Sequence, residues 1–287
     1  YAASKREGEK ALGALEGLNY VNLRMPAVYG ERFTGRLEGL NRIPPALRKK
    51  ALVFLSAFRP AVNADRVADA IADLVKRQGE EGDVIVTDPQ QQNIVYCAMS
   101  RFIDLVFVVA VLLFLWWLLL LAWLAVKLTS PGPGLFAQPR VGRDERIFDC
   151  YKSRTMRIGS PQAGTHEVPV SHITPVGRIL RSTKIDELPQ IWNVARGEMS
   201  LVGPRPCLPN QNELIEWRRK LGVFRARPGI TGLAQVLGVD MSEPEKLAKL
   251  DARYADLQTV SLNLGLVART LSPRRIRASD SNEYGTT

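Results

Sequence analysis

Histidine and cysteine are the scarcest chemistry-bearing residues in this 287-residue chain, two of the first and three of the second. Cys97, Cys150 and Cys207 lie far apart and form no C-x-x-C pair, which argues against a disulfide framework or a structural zinc site. His166 and His172 sit in a polar connector and are given no catalytic role. The chain opens on Tyr1 without a basic, apolar and small-residue cleavage pattern, so a leading signal peptide is not expected. A glycine-rich dinucleotide fingerprint is also missing, as are internal repeats.

Basic residues outnumber acidic ones by 39 to 29, a net charge of +10, and residues 1–100 hold 14 of the basic and 12 of the acidic ones. The excess therefore falls on the later part. Such an excess suits nucleic acid, anionic lipid or phosphorylated substrates. Its neighbour is LVFVVAVLLFLWWLLLLAWLAV, Leu105 to Val126, 22 residues without a charge. As a helix rising roughly 1.5 Å per residue, it matches a hydrocarbon core of roughly 30 Å. Arg101 and Lys127 bracket it, and Trp116, Trp117 and Trp123 supply amphipathic rings. Membrane lipid is the expected partner, and no nucleic-acid-binding module is recognisable. Trp116 and Trp117 fall mid-segment with no Pro or Gly nearby, so these residues alone favour a straight span.

Composition divides the chain into a segment 1–95, a membrane helix 100–127, a basic globular block 128–271 and a basic tail 272–287 expected to be disordered. In the first segment SKREGEKALGALEG and ADRVADAIADLVKR read as helices, and LNYVNLRMPAVYG and GDVIVTD as strands, an α/β pattern. Tyr1 and Lys5 stand one helical turn apart, where an ammonium can stabilise a phenolate. YAASKREGEKAL, LRMPAVYG and ADRVADAI resemble, in order, the second half of extended short-chain dehydrogenases that epimerise or reduce nucleotide sugars. The resemblance implies a truncated Rossmann-like remnant with Tyr1 and Lys5 as a vestigial acid/base pair, lacking the half that would hold NAD(P).

In the basic block the central stretch is RSTKIDELPQIWNV, with Asp186 and Glu187 side by side. Two readings of the residues stand open. Thr183 as N-cap and Asp186 at N3 would form a capping box, with Pro189 kinking the helix early. In the other, which can coexist with the first, adjacent carboxylates approach one shared ion, with Arg181, Lys184 and a helix start keeping Asp186 ionised for attack on phosphorus. Arg140, Arg143, Lys152, Arg154, Arg178, Arg181, Arg205 and Arg227 are candidate phosphate contacts, and glycine turns offer bare N–H groups to anions.

SPGPGLFAQPRVG, YKSRTM, TPVGRILRSTKIDELPQIWNV, GEMSLVGPRP and ARPGITGLAQV together resemble the bacterial sugar transferases that are monotopic phosphoglycosyl transferases, over about residues 100–271. The resemblance implies an α+β membrane-associated protein: one hydrophobic helix that re-enters rather than spans, and a compact, mainly helical catalytic domain on the cytoplasmic face of the bacterial inner membrane. It implies transfer of a phosphosugar from a UDP-sugar to polyprenol phosphate through a covalent enzyme intermediate, with Mg²⁺ as cofactor and homo-oligomerisation left open. Asp186 would be the nucleophile and Glu187 the Mg²⁺ ligand, with Lys152, Arg154, Arg181, Arg205 and Arg227 on the substrate phosphates. Three positions depart from the family pattern: Trp116–Trp117 where Ser-Pro often bends the helix, Ser153 where an aromatic is usual, and Leu237 where Asn is common. The connector 157–173 also lacks the usual acidic character.

Overall fold

A computed structural model describes residues 21–76 apart from 32 and 34, residues 82–160 and 172–272, and the single positions 7 and 11. The Tyr1–Lys5 pair, the SKREGEKALGALEG helix except positions 7 and 11, His166 and the tail from 273 lie outside the described residues. Two compact units emerge, Tyr1–Tyr96 with Asp256–Ser261, and Cys97–Ala255 with Leu262–Thr287.

The first unit contains β1 (Val21–Arg24), β2 (Ala27–Tyr29), α1 (Pro45–Phe58), β3 (Ala61–Asn63), α2 (Ala64–Lys76) and β4 (Gly82–Ile85). β1 pairs with β4 and β2 with β3, both in parallel. The run LNYVNLRMPAVYG thus splits at Met25–Pro26 into two short strands in different pairs. Phe33, Leu40 and Leu52 form a small core beneath them. Asp88 ties strand ends together, accepting from the Tyr29 hydroxyl at 2.6 Å and from the Asn63 amide at 3.3 Å. Burial and Asp88 both push the Tyr29 phenol far up.

The second unit is mainly helical. It begins within α3 (Ile94–Phe114), the one described helix long and apolar enough to cross a membrane. α4 (Trp116–Thr129) follows directly. The charge-free run is therefore not one straight helix. It breaks at Leu115, whose φ and ψ of −121° and 7° leave the helical region. No Pro or Gly causes this; Trp117 Nε1 donates to the Phe114 carbonyl at 2.8 Å and satisfies one acceptor at the break. The expected helix 100–127 is corrected accordingly: its first half starts earlier, at Ile94, and the second runs on to Thr129.

Then come β5 (Leu135–Val141) and β6 (Ile147–Ser153), an antiparallel hairpin, and α5 (Pro175–Ser182). A 3-10 turn (Ile185–Gln190) leads into α6 (Ile191–Arg196), β7 (Ser200–Val202) and α7 (Asn212–Lys220). β8 (Gly229–Thr231), parallel to β7, is followed by α8 (Leu233–Val236), α9 (Pro244–Leu257) and α10 (Val260–Leu271). α9 buries Leu247, Ala248, Leu250 and Tyr254, so its apolar face packs on the core. Val108 and Val111 of α3 join Cys150, Ile191, Val194 and Met199 in one buried cluster. Ala122 and Val126 of α4 meet Leu180 of α5 in another. Leu237, the unusual residue in AQVLG, packs against the core beside Val239 and Leu247. The opposite surfaces of α3 and α4 stay bare: Phe102, Val109, Leu113, Phe114, Trp116 and Leu121 are all exposed.

Candidate active site

The 3-10 turn 185–190 carries the acidic pair, and the chain reaches it through an abrupt reversal. α5 starts at Thr174, whose hydroxyl accepts from the Gly177 amide at 2.9 Å. It ends at Thr183, and Lys184 adopts a left-handed φ of 56° before the turn begins. The capping box is overturned here. Thr183 closes α5, its hydroxyl donating back to the carbonyls of Ile179 and Leu180 at 2.8 and 3.1 Å, and it does not cap the segment that follows. Pro189 is accommodated because that segment is a short 3-10 turn rather than a continuing α-helix.

β6 lies against this turn and delivers Lys152. Its Nζ donates to Glu187 Oε1 at 3.2 Å, and Arg205, from the segment after β7, donates to the same oxygen at 2.7 Å. Burial favours a neutral Glu187, yet Arg205 and Lys152 outweigh it and hold this carboxyl at about 2. Burial pulls the Lys152 ammonium downward, partly offset by Glu187.

Asp186 is nearly buried, 9% exposed. Burial first and Glu187 second push its carboxyl above the usual carboxylate range, while Lys152 and Arg181 pull the other way. The helix start and nearby cations expected to favour the ionised form do not lower this carboxyl, because desolvation outweighs them. Arg181 is oriented by Thr155, whose hydroxyl accepts from Arg181 Nε at 2.8 Å.

The remaining candidate cations sit elsewhere. Arg154 is buried, donating to Ser130 O and Oγ at 2.9 and 2.8 Å and to the Pro131 carbonyl, so it ties the SPGPG turn to the end of β6. Arg140 is buried and donates to the Pro206 carbonyl at 2.9 Å and to Gln138 Oε1 at 2.7 Å, which fixes the chain beside Arg205. Arg227 is half-buried and lies within electrostatic reach of Asp104 on α3. Arg143 and Arg178 are exposed.

Glycines in GPRP and RPGITG work in backbone packing. A Cβ on Gly203 would stand 2.2 Å from the Arg227 carbonyl, and the Gly203 amide donates to Thr231 O at 2.8 Å. That amide is thus engaged in the sheet and not offered to an anion.

Sequence reasoning passed over Asn193. It is fully buried; its Oδ1 accepts from the Tyr151 amide at 3.1 Å, and its Nδ2 donates to Asp149 O and Glu198 Oε2, both at 2.7 Å. It therefore bolts α6, just after the acidic turn, onto β6 on either side of Cys150. An amide six residues beyond Glu187 gives no periodic signal, and only its three-way bonding reveals it.

Among the described residues no three His, Cys, Asp or Glu side chains converge as a metal site. Mg²⁺ needs less from a protein, usually one or two carboxylates with substrate phosphates and water completing the shell. Glu187 fits that requirement: it is ionised, and only its Oε1 is taken by Lys152 and Arg205.

Residues 95–274, more than half of the chain, match the bacterial sugar transferase family. The UDP-glucose:undecaprenyl-phosphate glucose-1-phosphate transferase of Caulobacter vibrioides is 46% identical over 54% of this chain and 61% of its own length. The undecaprenyl-phosphate glucose phosphotransferase of Komagataeibacter xylinus is 38% identical over 60% of this chain and 35% of its own. A UDP-N-acetylgalactosamine-undecaprenyl-phosphate N-acetylgalactosaminephosphotransferase of Aeromonas hydrophila is 37% identical over 60% of this chain and 42% of its own. The chain spans between about a third and three fifths of the length of these relatives. An acidic pair faced by Lys152 and Arg205, beside a broken apolar helix and within a match of this extent, makes the chain a member of the bacterial sugar transferase family.

Proposed function

We propose that the protein transfers a sugar 1-phosphate from a UDP-sugar to polyprenol phosphate, giving polyprenyl diphosphate sugar and UMP. The observation that carries this reading is Glu187 Oε1 bridging Lys152 and Arg205 beside the desolvated carboxylate of Asp186. The names of the relatives above, which describe UDP-sugar and undecaprenyl-phosphate transferases, support it.

In the first step an Asp186 carboxylate oxygen attacks the phosphorus bonded to the sugar. The phosphoanhydride bond breaks and UMP leaves with the bonding electrons. In the second, a phosphate oxygen of the acceptor attacks the same phosphorus, the acyl-phosphate bond breaks and Asp186 returns as a carboxylate. No proton moves, since both attacking groups are already anions. A partly buried carboxylate has little water to shed before attack. Lys152 and Arg205, which donate to Glu187, would turn to the diphosphate oxygens, with Arg181 close to Asp186. Mg²⁺ held by Glu187 and the diphosphate would neutralise charge on the departing UMP. Splitting the transfer also lets a water-soluble donor and a lipid acceptor use one site in turn.

The helix pair would enter a single leaflet of the inner membrane from the cytoplasmic face. From Leu105 to the break after Phe114 is 10 residues, roughly 15 Å of helix, about half a hydrocarbon core. The bare apolar surface of α3 and α4 supports this placement. For residues 1–95, the two parallel strand pairs fit an α/β remnant; the sequence resemblance to nucleotide-sugar epimerases, where it holds, would make a modified UDP-N-acetylhexosamine a natural donor.

The test is UMP release from a panel of UDP-sugars by detergent-purified protein with polyprenol phosphate and Mg²⁺. Wild type should release UMP with at least one donor. Asp186→Asn should reduce that release on the order of 10³-fold or more, as removal of a nucleophile does. Equal release by both proteins would sink the assignment.

A further inference from the structure

Arg101 and Asp104 stand one helical turn apart on α3, and between them they hold both ends of the loop joining α6 to β7. The Arg101 guanidinium donates to the carbonyls of Val194 and Ala195 at 2.5 and 2.7 Å, at the C-terminus of α6 where orphan carbonyls and the helix dipole favour a cation. Asp104 Oδ1 accepts from Ser200 Oγ at 3.0 Å and from the Leu201 amide at 2.8 Å, where β7 begins.

Asp104 is 1% exposed, and its Oδ2 has no hydrogen-bond partner among the described residues. Among the described residues, Arg101 and Arg227 are charges within electrostatic reach of it. A carboxylate buried on so apolar a helix is costly, and membrane insertion gives no reason for it. Its bonds do suggest one. α6 directly follows the turn that carries Asp186 and Glu187, and β7 runs within three residues to Arg205. Arg140 fixes the far side of Arg205 through the Pro206 carbonyl, so Asp104 and Arg140 hold this stretch at its two ends.

We propose that Asp104 is a positioning residue for the transfer reaction: by fixing the start of β7 it sets where Arg205 meets Glu187 and, in turn, the donor diphosphate. The diphosphate part rests on the function proposed above; the placement of Arg205 does not.

Two measurements separate these. Hydrogen exchange of residues 200–206 needs no substrate, and Asp104→Ala should speed exchange at Leu201 and its neighbours. Unchanged exchange there would overturn the proposal. The second is a double-mutant cycle on kcat/KM for the UDP-sugar with Asp104→Ala, Arg205→Ala and both together. Asp104→Ala alone should lose about 10- to 100-fold, the usual cost of a residue that orients a site. On the Arg205→Ala background it should lose less than about twofold, because the group it acts through is already gone. A residue with a merely structural role gives losses that multiply, and that result would also overturn the proposal.

Asp104→Asn keeps an acceptor oxygen for Ser200 and Leu201 and should recover most of the loss. If Asp104→Ala does not fold, Ser200→Ala removes one of the two bonds and carries the same cycle. A wild type that releases no UMP would contradict the function proposed above, while the exchange measurement would still decide the placement of Arg205.

Discussion

The two acidic neighbours differ because their surroundings differ. Glu187 meets two cations and is held at about 2, whereas Asp186 is dominated by burial and by Glu187 itself and is pushed upward. If Asp186 must be ionised to attack, kcat/KM should fall on the acid side through a pKa above the ordinary aspartate value of about 3.9. The sign follows from the raised carboxyl: lowering the pH protonates the nucleophile early, and raising it restores the rate. A pH–rate profile of UMP release checks this, and an acid limb at or below the ordinary value would contradict it. The sequence offered Asp186, Glu187, Lys152 and Arg205 as candidates through the motifs they sit in, and the structure brings Lys152 and Arg205 to Glu187. The upward push on the Asp186 carboxyl could not be read from sequence, since it comes from desolvation, which depends on residues distant in the chain. Arg154 and Arg140 show the same limit: arginines in basic motifs look alike in sequence, and only their backbone partners distinguish them.

At the level of elements, close backbone approach sets the geometry of the site. A Cβ on Gly177 would lie 2.1 Å from the Thr155 carbonyl, so α5 can sit against the end of β6 only with glycine there. That approach lets Arg181 reach Thr155 Oγ1. Gly177→Ala should destabilise the protein by about 1–3 kcal/mol or more through overpacking against rigid backbone, and should cut UMP release besides. A urea titration reads the first effect, and unchanged stability would show that α5 can shift freely. Helix α2 was legible from its apolar spacing. The break at Leu115 was not, because no Pro or Gly marks it and the Trp117 indole supplies the bond at the turn. The turn at 185–190 was open to two readings from sequence, and the structure removes one of them, the capping box. Thr183 and Asp186 have the right spacing for a capping box, but the left-handed Lys184 between them reverses the chain.

At the scale of the whole molecule, the account requires both ends of the helix pair to face the same side of the membrane. Cys97, in the first turn of α3, and Lys127, in the last turn of α4, are both exposed and lie near the two ends of the pair. In sealed vesicles an impermeant thiol reagent should label Cys97 and a Lys127→Cys substitution from one side only, the same side for both. Labelling from opposite sides would show a span and contradict re-entry. Hydropathy marks the length of the apolar run and on its own favours a span, because a charge-free run records length and not direction; the labelling decides between span and re-entry.

The most direct test of the central claim is an intact mass measurement on wild type and Asp186→Asn after incubation with a UDP-sugar and Mg²⁺, without polyprenol phosphate. The account expects wild type to gain the mass of one phosphosugar, located by fragmentation to Asp186, and to lose it when polyprenol phosphate is added; the variant should gain nothing. UMP release without any adduct on wild type, or an adduct on Asp186→Asn, would contradict a covalent transfer through Asp186.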